Sequence, residues 1–243
     1  MYDIRRAADR FHTEAGWLDS HHSFSFSRHY DPANTHFGQL LVSNDDIVAP
    51  GTGFDTHPHR DMEIVTWVLS GGLVHQDSEG HSGLIHPGLA QRMSAGRGIL
   101  HSEKNDLPAG AEPVPVRFVQ MWVLPDEGGI APGYEQLDVT ADLARGGLVP
   151  VASGRPGHEA AIRIHQKDAA LHAARLAPGQ AVTLPTAPYV HLFVARGTVA
   201  LEGAGPLAEG DAVRVTGAEG QRLTAETDAE VLVWEMHSAA AVG

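Results

Sequence analysis

Apolar residues in this chain recur in short runs or with period two, and only rarely with the period of a helix. Residues 22–27, HSFSFS, alternate strictly, which predicts a half-buried strand with Phe24 and Phe26 on one face and the serines on the other. Apolar or alternating runs at 39–42, 63–69, 117–124, 181–184, 191–195 and 231–234 predict further strands. Turns rich in Gly, Asp, Asn and Pro separate them, and Asn44-Asp45-Asp46 reads as one such turn. Helices are expected only at 3–10, 141–145 and 169–174. Many short strands with this punctuation indicate an all-β protein, a barrel or a sandwich.

The chain has 243 residues, enough for two compact units. A weak internal repeat supports two: Trp67-Val68-Leu69 leads to Gly71-Gly72 and Leu84-Ile85 to Gly88, as Leu192-Phe193-Val194 leads to Gly197 and Leu207 to Gly210. Residues 125–133, PDEGGIAPG, have the turn chemistry of a linker. The expected division is therefore an N-terminal unit, 1–130, and a C-terminal unit, 131–243. Measured from the repeat glycines, the place of His59 is taken in the second unit by Pro185, close to Thr183, and that of His101 by Leu223.

Composition narrows the chemistry. Thirty acidic residues against seventeen Lys plus Arg give a formal charge of −13, which repels nucleic-acid phosphates and anionic lipid. No segment approaches a membrane span or signal peptide, so a cytoplasmic protein without membrane or direct nucleic-acid partners is expected. Without cysteine, any metal must be held by nitrogen and oxygen. Eleven of the sixteen histidines lie between His12 and His101.

Within that half, His57-Pro58-His59 and Glu63 follow a glycine turn, and residues two apart on a strand share a face. Pro58 suits an edge strand or a bulge. Farther on, His101 and Glu103 form a second pair of this kind. Three imidazoles and one carboxylate make a site for a divalent transition metal that leaves coordination positions open. Parity alone does not choose between Glu63 and Glu103. His21, His22, His75, His81 and His86 read as surface or hydrogen-bonding histidines.

Taken together, Gly16-Trp17-Leu18-Asp19-Ser20, His22 to Phe26, Asn44-Asp45-Asp46, His57 to Glu63, His75-Gln76-Asp77-Ser78 and Met93 to Gly96 with Gly98 to Glu103 resemble the pirin family of the cupin superfamily, in its compact bacterial form. The resemblance covers about residues 1–135. It implies a bicupin of two jelly-roll β-barrels, with metal, usually iron, in the N-terminal barrel on His57, His59, His101 and Glu103, and a C-terminal barrel without metal. It also implies a quercetin 2,3-dioxygenase activity, with Glu103 as both ligand and catalytic base. The partners would be Fe(II), an aromatic small molecule and dioxygen. Two other readings use the same metal: a redox sensor or protein-binding regulatory module without turnover, and a cupin isomerase or hydrolase. Ser27-Arg28-His29-Tyr30 departs from the family's more apolar stretch, which bears on the entrance or a partner surface.

Overall fold

The computed structural model describes residues 1–106 and 112–241. Its strands are β1 (Tyr2–Arg5), β2 (Phe11–Glu14), β3 (Leu18–His22), β4 (Leu40–Val48), β5 (Gly53–His59), β6 (Glu63–Ser70), β7 (Leu73–Asp77), β8 (Ser82–Ile85), β9 (Leu89–Ser94), β10 (Ile99–Lys104), β11 (Val116–Val123) and β12 (Gly133–Asp138). The second half adds β13 (Val149–Ser153), β14 (Ile162–Arg163), β15 (Ala169–Leu176), β16 (Ala181–Thr183), β17 (Thr186–Arg196), β18 (Thr198–Leu201), β19 (Gly205–Ala208), β20 (Ala212–Glu219), β21 (Arg222–Ala225) and β22 (Ala229–Met236). One α-helical turn, α1 (Thr140–Leu143), joins the halves. The all-β expectation holds.

Two seven-stranded and two four-stranded sheets repeat one layout. The order β12-β9-β6-β11-β4-β3-β2 matches β1-β20-β17-β22-β15-β13-β14, and β5-β10-β7-β8 matches β16-β21-β18-β19. Each large sheet ends on a strand from across the expected division: β12 pairs with β9, and β1 with β20.

The large sheets pack face to face. Val65, Trp67, Val119 and Met121 from the first meet Leu171, Phe193, Leu232 and Trp234 from the second in one buried cluster. The indole Nε1 groups find partners across this contact, Trp67 on Glu230 at 2.8 Å and Trp234 on the Met121 sulfur at 3.2 Å. Because their other face also packs inward, β6 and β15 are apolar nearly throughout.

That two-sided burial corrects one expectation. Residues 169–174 form part of β15 and not a helix: Ala169, Leu171 and Ala173 face the other half, while Ala174 faces its own core. Their small side chains suit a closely covered sheet. Residues 3–10 are split between β1, which docks on β20, and a 3-10 turn at Ala7–Asp9. The alternating stretch 22–27 also departs from the prediction, since β3 ends at His22. Phe24 enters the buried cluster beneath the Arg214 guanidinium, 4.4 Å from its ring centroid, and Phe26 turns toward the N-terminal cavity. No helix of the described residues is long and apolar enough to cross a membrane.

Candidate metal centre

His57 and His59 stand on β5, and His101 on β10, directly opposite His57 in the antiparallel register. Pro58 fits because β5 is an edge strand and pairs only with β10, so its missing N–H costs no ladder bond on the open side. Between the pairs His101–His57 and Glu103–Phe54, β5 carries one residue more than β10. Such a bulge re-aims side chains, and here three imidazoles converge.

Ring nitrogens of His57, His59 and His101 all lie within 4.8 Å of one another. His57 Nε2 and His101 Nε2 are 3.1 Å apart, and His59 Nε2 is buried with no hydrogen-bond partner. An unpaired buried nitrogen beside two converging lone pairs is the donor arrangement a transition metal satisfies, so the residues fit one. Burial, reinforced by the neighbouring imidazoles, pushes His59 down to about 4 and His101 to about 3. Both are neutral at pH 7, the form that ligates.

The remaining nitrogens of two rings are held from behind. His57 Nδ1 lies 2.7 Å from the Asp55 carbonyl, which directs Nε2 inward. His101 Nδ1 faces His75 Nδ1 at 3.5 Å, and His75 Nε2 reaches Asp77 at 3.2 Å, with His75 wholly buried. Burial would raise Asp77, but hydrogen bonds from the His81 backbone, His75 and the His81 ring hold it below the usual carboxylate range. The row His101–His75–Asp77 therefore ends on an anion.

Glu103 is 2% exposed and groups with His75 and His101, so His101 is common to both clusters. Its two oxygens accept from one nitrogen, Gln120 Nε2, at 2.9 and 2.8 Å, and the Gln120 carbonyl accepts from Trp122 Nε1 at 3.2 Å. Glu63 is placed differently. The chain turns at Asp61 (φ 47°) before β6 begins, so parity does not carry over from β5. Its carboxylate accepts from Ser94 Oγ and from the His165 backbone N–H of the C-terminal half, each at 3.0 Å.

Several residues here escaped the sequence reading. Asn44, Asp45 and Asp46 are buried in the middle of β4 and are no turn. Asp46 accepts from Ser20 Oγ, and Asp45 pairs with Arg117 and Arg10. Long-range partners of this kind leave no local signal. A cavity of about 590 Å³ opens beside the histidines, with Trp17, Phe26, Phe54 and Trp122 on its walls and Ser27 and Arg28 among its lining. The departure at 27–30 thus does bear on the cavity.

In the C-terminal half, β16 and β21 occupy the places of β5 and β10. They bear Val182, Thr183, Leu223 and Thr224, and Leu223 is fully buried in the core. A separate group, His158, His172 and Glu235, lies on other elements. There Arg155 and His237 already engage the Glu235 carboxylate.

Comparison with known proteins decides the family. The Pirin family model matches residues 4–123, and the model described as quercetinase C-terminal cupin domain matches 150–236. This chain belongs to the pirin family. A quercetin 2,3-dioxygenase of Escherichia coli is 38% identical over 237 residues, covering 97% of this chain and 99% of that one. A Mycobacterium tuberculosis protein, named provisionally for the same activity, is 61% identical over 236 residues, covering 97% and 95%. Among solved structures, the E. coli pirin YhhW superposes with a TM-score of 0.87 at 36% identity over the whole of both chains. Its nickel(II) complex gives 0.85 at 34% identity, covering 99% and 100%. The duplicated all-β layout is accordingly that of two cupin-type domains.

Proposed function

We propose that this pirin is a metal-dependent dioxygenase that opens the ring of a flavonol such as quercetin. The observation that carries the proposal is the convergence of His57, His59 and His101 beside Glu103, at the wall of a cavity large enough for a flat aromatic molecule. The names of the E. coli and M. tuberculosis relatives support it. We assign His57, His59, His101 and Glu103 as the ligands of one divalent transition metal, which we take to be Fe(II). When bound, such a metal polarises a coordinated hydroxyl oxygen and mediates electron transfer to dioxygen.

The protein's own part follows from the geometry. Asp55 and the His75–Asp77 pair fix which nitrogen His57 and His101 present. Trp122, Phe26 and Phe54 give the cavity aromatic walls that align a planar substrate and exclude water. Glu103 receives the proton of the flavonol 3-hydroxyl, and Gln120 holds its carboxylate in place while it does so. The C-terminal domain carries no metal in this account: Arg155 neutralises Glu235, and His172 and His237 contact the same carboxylate.

The test is stoichiometric. Iron-loaded protein mixed with quercetin in air should consume one dioxygen and release one carbon monoxide per flavonol lost. Flavonol loss without carbon monoxide, at the rate of free iron, would remove the dioxygenase reading and leave the regulatory one.

A further inference from the structure

The cavity floor is polar where a purely apolar receptor would be greasy. Gln120, Asn44 and His22 form a cross-strand row over β11, β4 and β3, and Asp46 with Ser20 forms the next. All but Gln120 are only 2–4% exposed, and Gln120 is 8% exposed. All five line the cavity. Phe118, opposite Asp46 on β11, and Val48, two residues on along β4, are apolar. The polar rows thus face the cavity, whose lining continues at Leu18 in the next, apolar row.

Two of these groups have spare capacity. Asn44 Oδ1 is buried without a well-formed hydrogen bond, its neighbour being the His22 ring. Asp46 accepts from Ser20 through one oxygen only, leaving the other free among the described residues. Burial raises its carboxyl to about 7, so near neutral pH it offers a proton as readily as a lone pair. Unpaired polar groups facing an enclosed space are costly unless a ligand or water meets them.

Resting on the flavonol reading, we infer that Asn44 and Asp46 form a hydroxyl-reading subsite that selects flat aromatic ligands carrying ring hydroxyls beyond the one bound at the metal. Asn44 Oδ1 accepts from a ring hydroxyl, and the Asp46–Ser20 pair meets a second. With Glu103 close by, the floor disfavours a ring carboxylate in either place. A site built to bond a hydroxyl discriminates strongly against the analogue lacking it, because its own groups are then left unpaired.

Two probes share the chelating unit and differ in the further ring hydroxyls: quercetin, and 3-hydroxyflavone, which has none beyond the 3-hydroxyl. Binding to the zinc-loaded full chain, followed by quenching of Trp17 and Trp122 fluorescence, needs no turnover. Wild type should bind quercetin about tenfold more tightly or better. Asn44→Leu, similar in volume but without an acceptor, should erase most of that preference by weakening quercetin. Equal wild-type affinities would overturn the subsite while leaving the flavonol reading standing, and this outcome does not depend on the variant folding. Proportional weakening of both probes in Asn44→Leu would overturn it as well. Failure of the wild type to bind either probe would remove the subsite and the flavonol reading together.

Discussion

One amide nitrogen of Gln120 donates to both carboxylate oxygens of Glu103, at 2.9 and 2.8 Å. This contact links the floor of the large sheet to β10 of the small one, and it stands the carboxylate beside the histidines. Gln120 lies outside the proposed ligand set but holds Glu103, so its removal should disturb the base and weaken metal binding less than the loss of a histidine would. In Gln120→Leu, assayed at metal loading equal to wild type, we expect kcat to fall about tenfold. An unchanged kcat at equal loading would mean that the Gln120 contact does not serve the base.

The His75–Asp77 pair sets the presentation of His101. Replacing the terminal anion, Asp77→Asn, should weaken zinc affinity about 10–100-fold, measured by competition with a chelating dye. His81→Ala, which leaves His75 and its bond to Asp77 in place, should weaken it less. Equal losses in the two variants would point to general destabilisation of this strand pair.

Metal content should distinguish the two halves. One equivalent per chain is expected, falling to background in His57→Ala/His59→Ala while the far-ultraviolet spectrum is kept. His158→Ala/His172→Ala should leave the equivalent intact, because Arg155 already supplies the positive charge that Glu235 faces. Elemental analysis after dialysis checks both. A second equivalent lost with His158 and His172 would show that the C-terminal cluster is a metal site.

How far these sites were legible follows from where their signals lie. His57, His59, His101 and Glu103 sit two apart on strands, and period two is visible in any local window. Parity failed for Glu63 because a left-handed residue at Asp61 intervenes, and polar sequence around a turn does not announce its φ. Asn44 to Asp46 were misread because strand burial there is set by Ser20, Arg10 and Arg117, between 26 and 72 residues away for the bonds concerned. In β15, the alanines suit a helix locally, but a sheet covered on both faces overrides that propensity.

His191 gives a pH prediction for the fold. It is buried between the halves beside Phe24 and, through burial and then the Arg214 charge, is pushed down to about 3. Unfolding frees the imidazole to take a proton, so stability rises with pH between about 3 and the ordinary histidine range and is level above it. Each unit in that window is worth at most about 1.4 kcal/mol. From pH 7 to 5 the His191 contribution should cost roughly 1–2 kcal/mol, and His191→Phe should lose less than wild type over the same interval. Urea midpoints at the two pH values, at matched metal loading, check it. An identical acid limb in both proteins would show that another group sets the slope.

The most direct measurement of the account is oxygen uptake with quercetin by wild type, Glu103→Gln and Glu63→Gln at equal iron content. Glu103→Gln keeps the shape and removes the charge and proton affinity, so its rate should fall about 10²-fold or more. Glu63 bonds Ser94 and the C-terminal half, so Glu63→Gln should stay within about tenfold of wild type. Inactive Glu63→Gln beside near-normal Glu103→Gln would contradict the assignment of the base. Wild-type uptake no greater than that of free iron would contradict the dioxygenase itself.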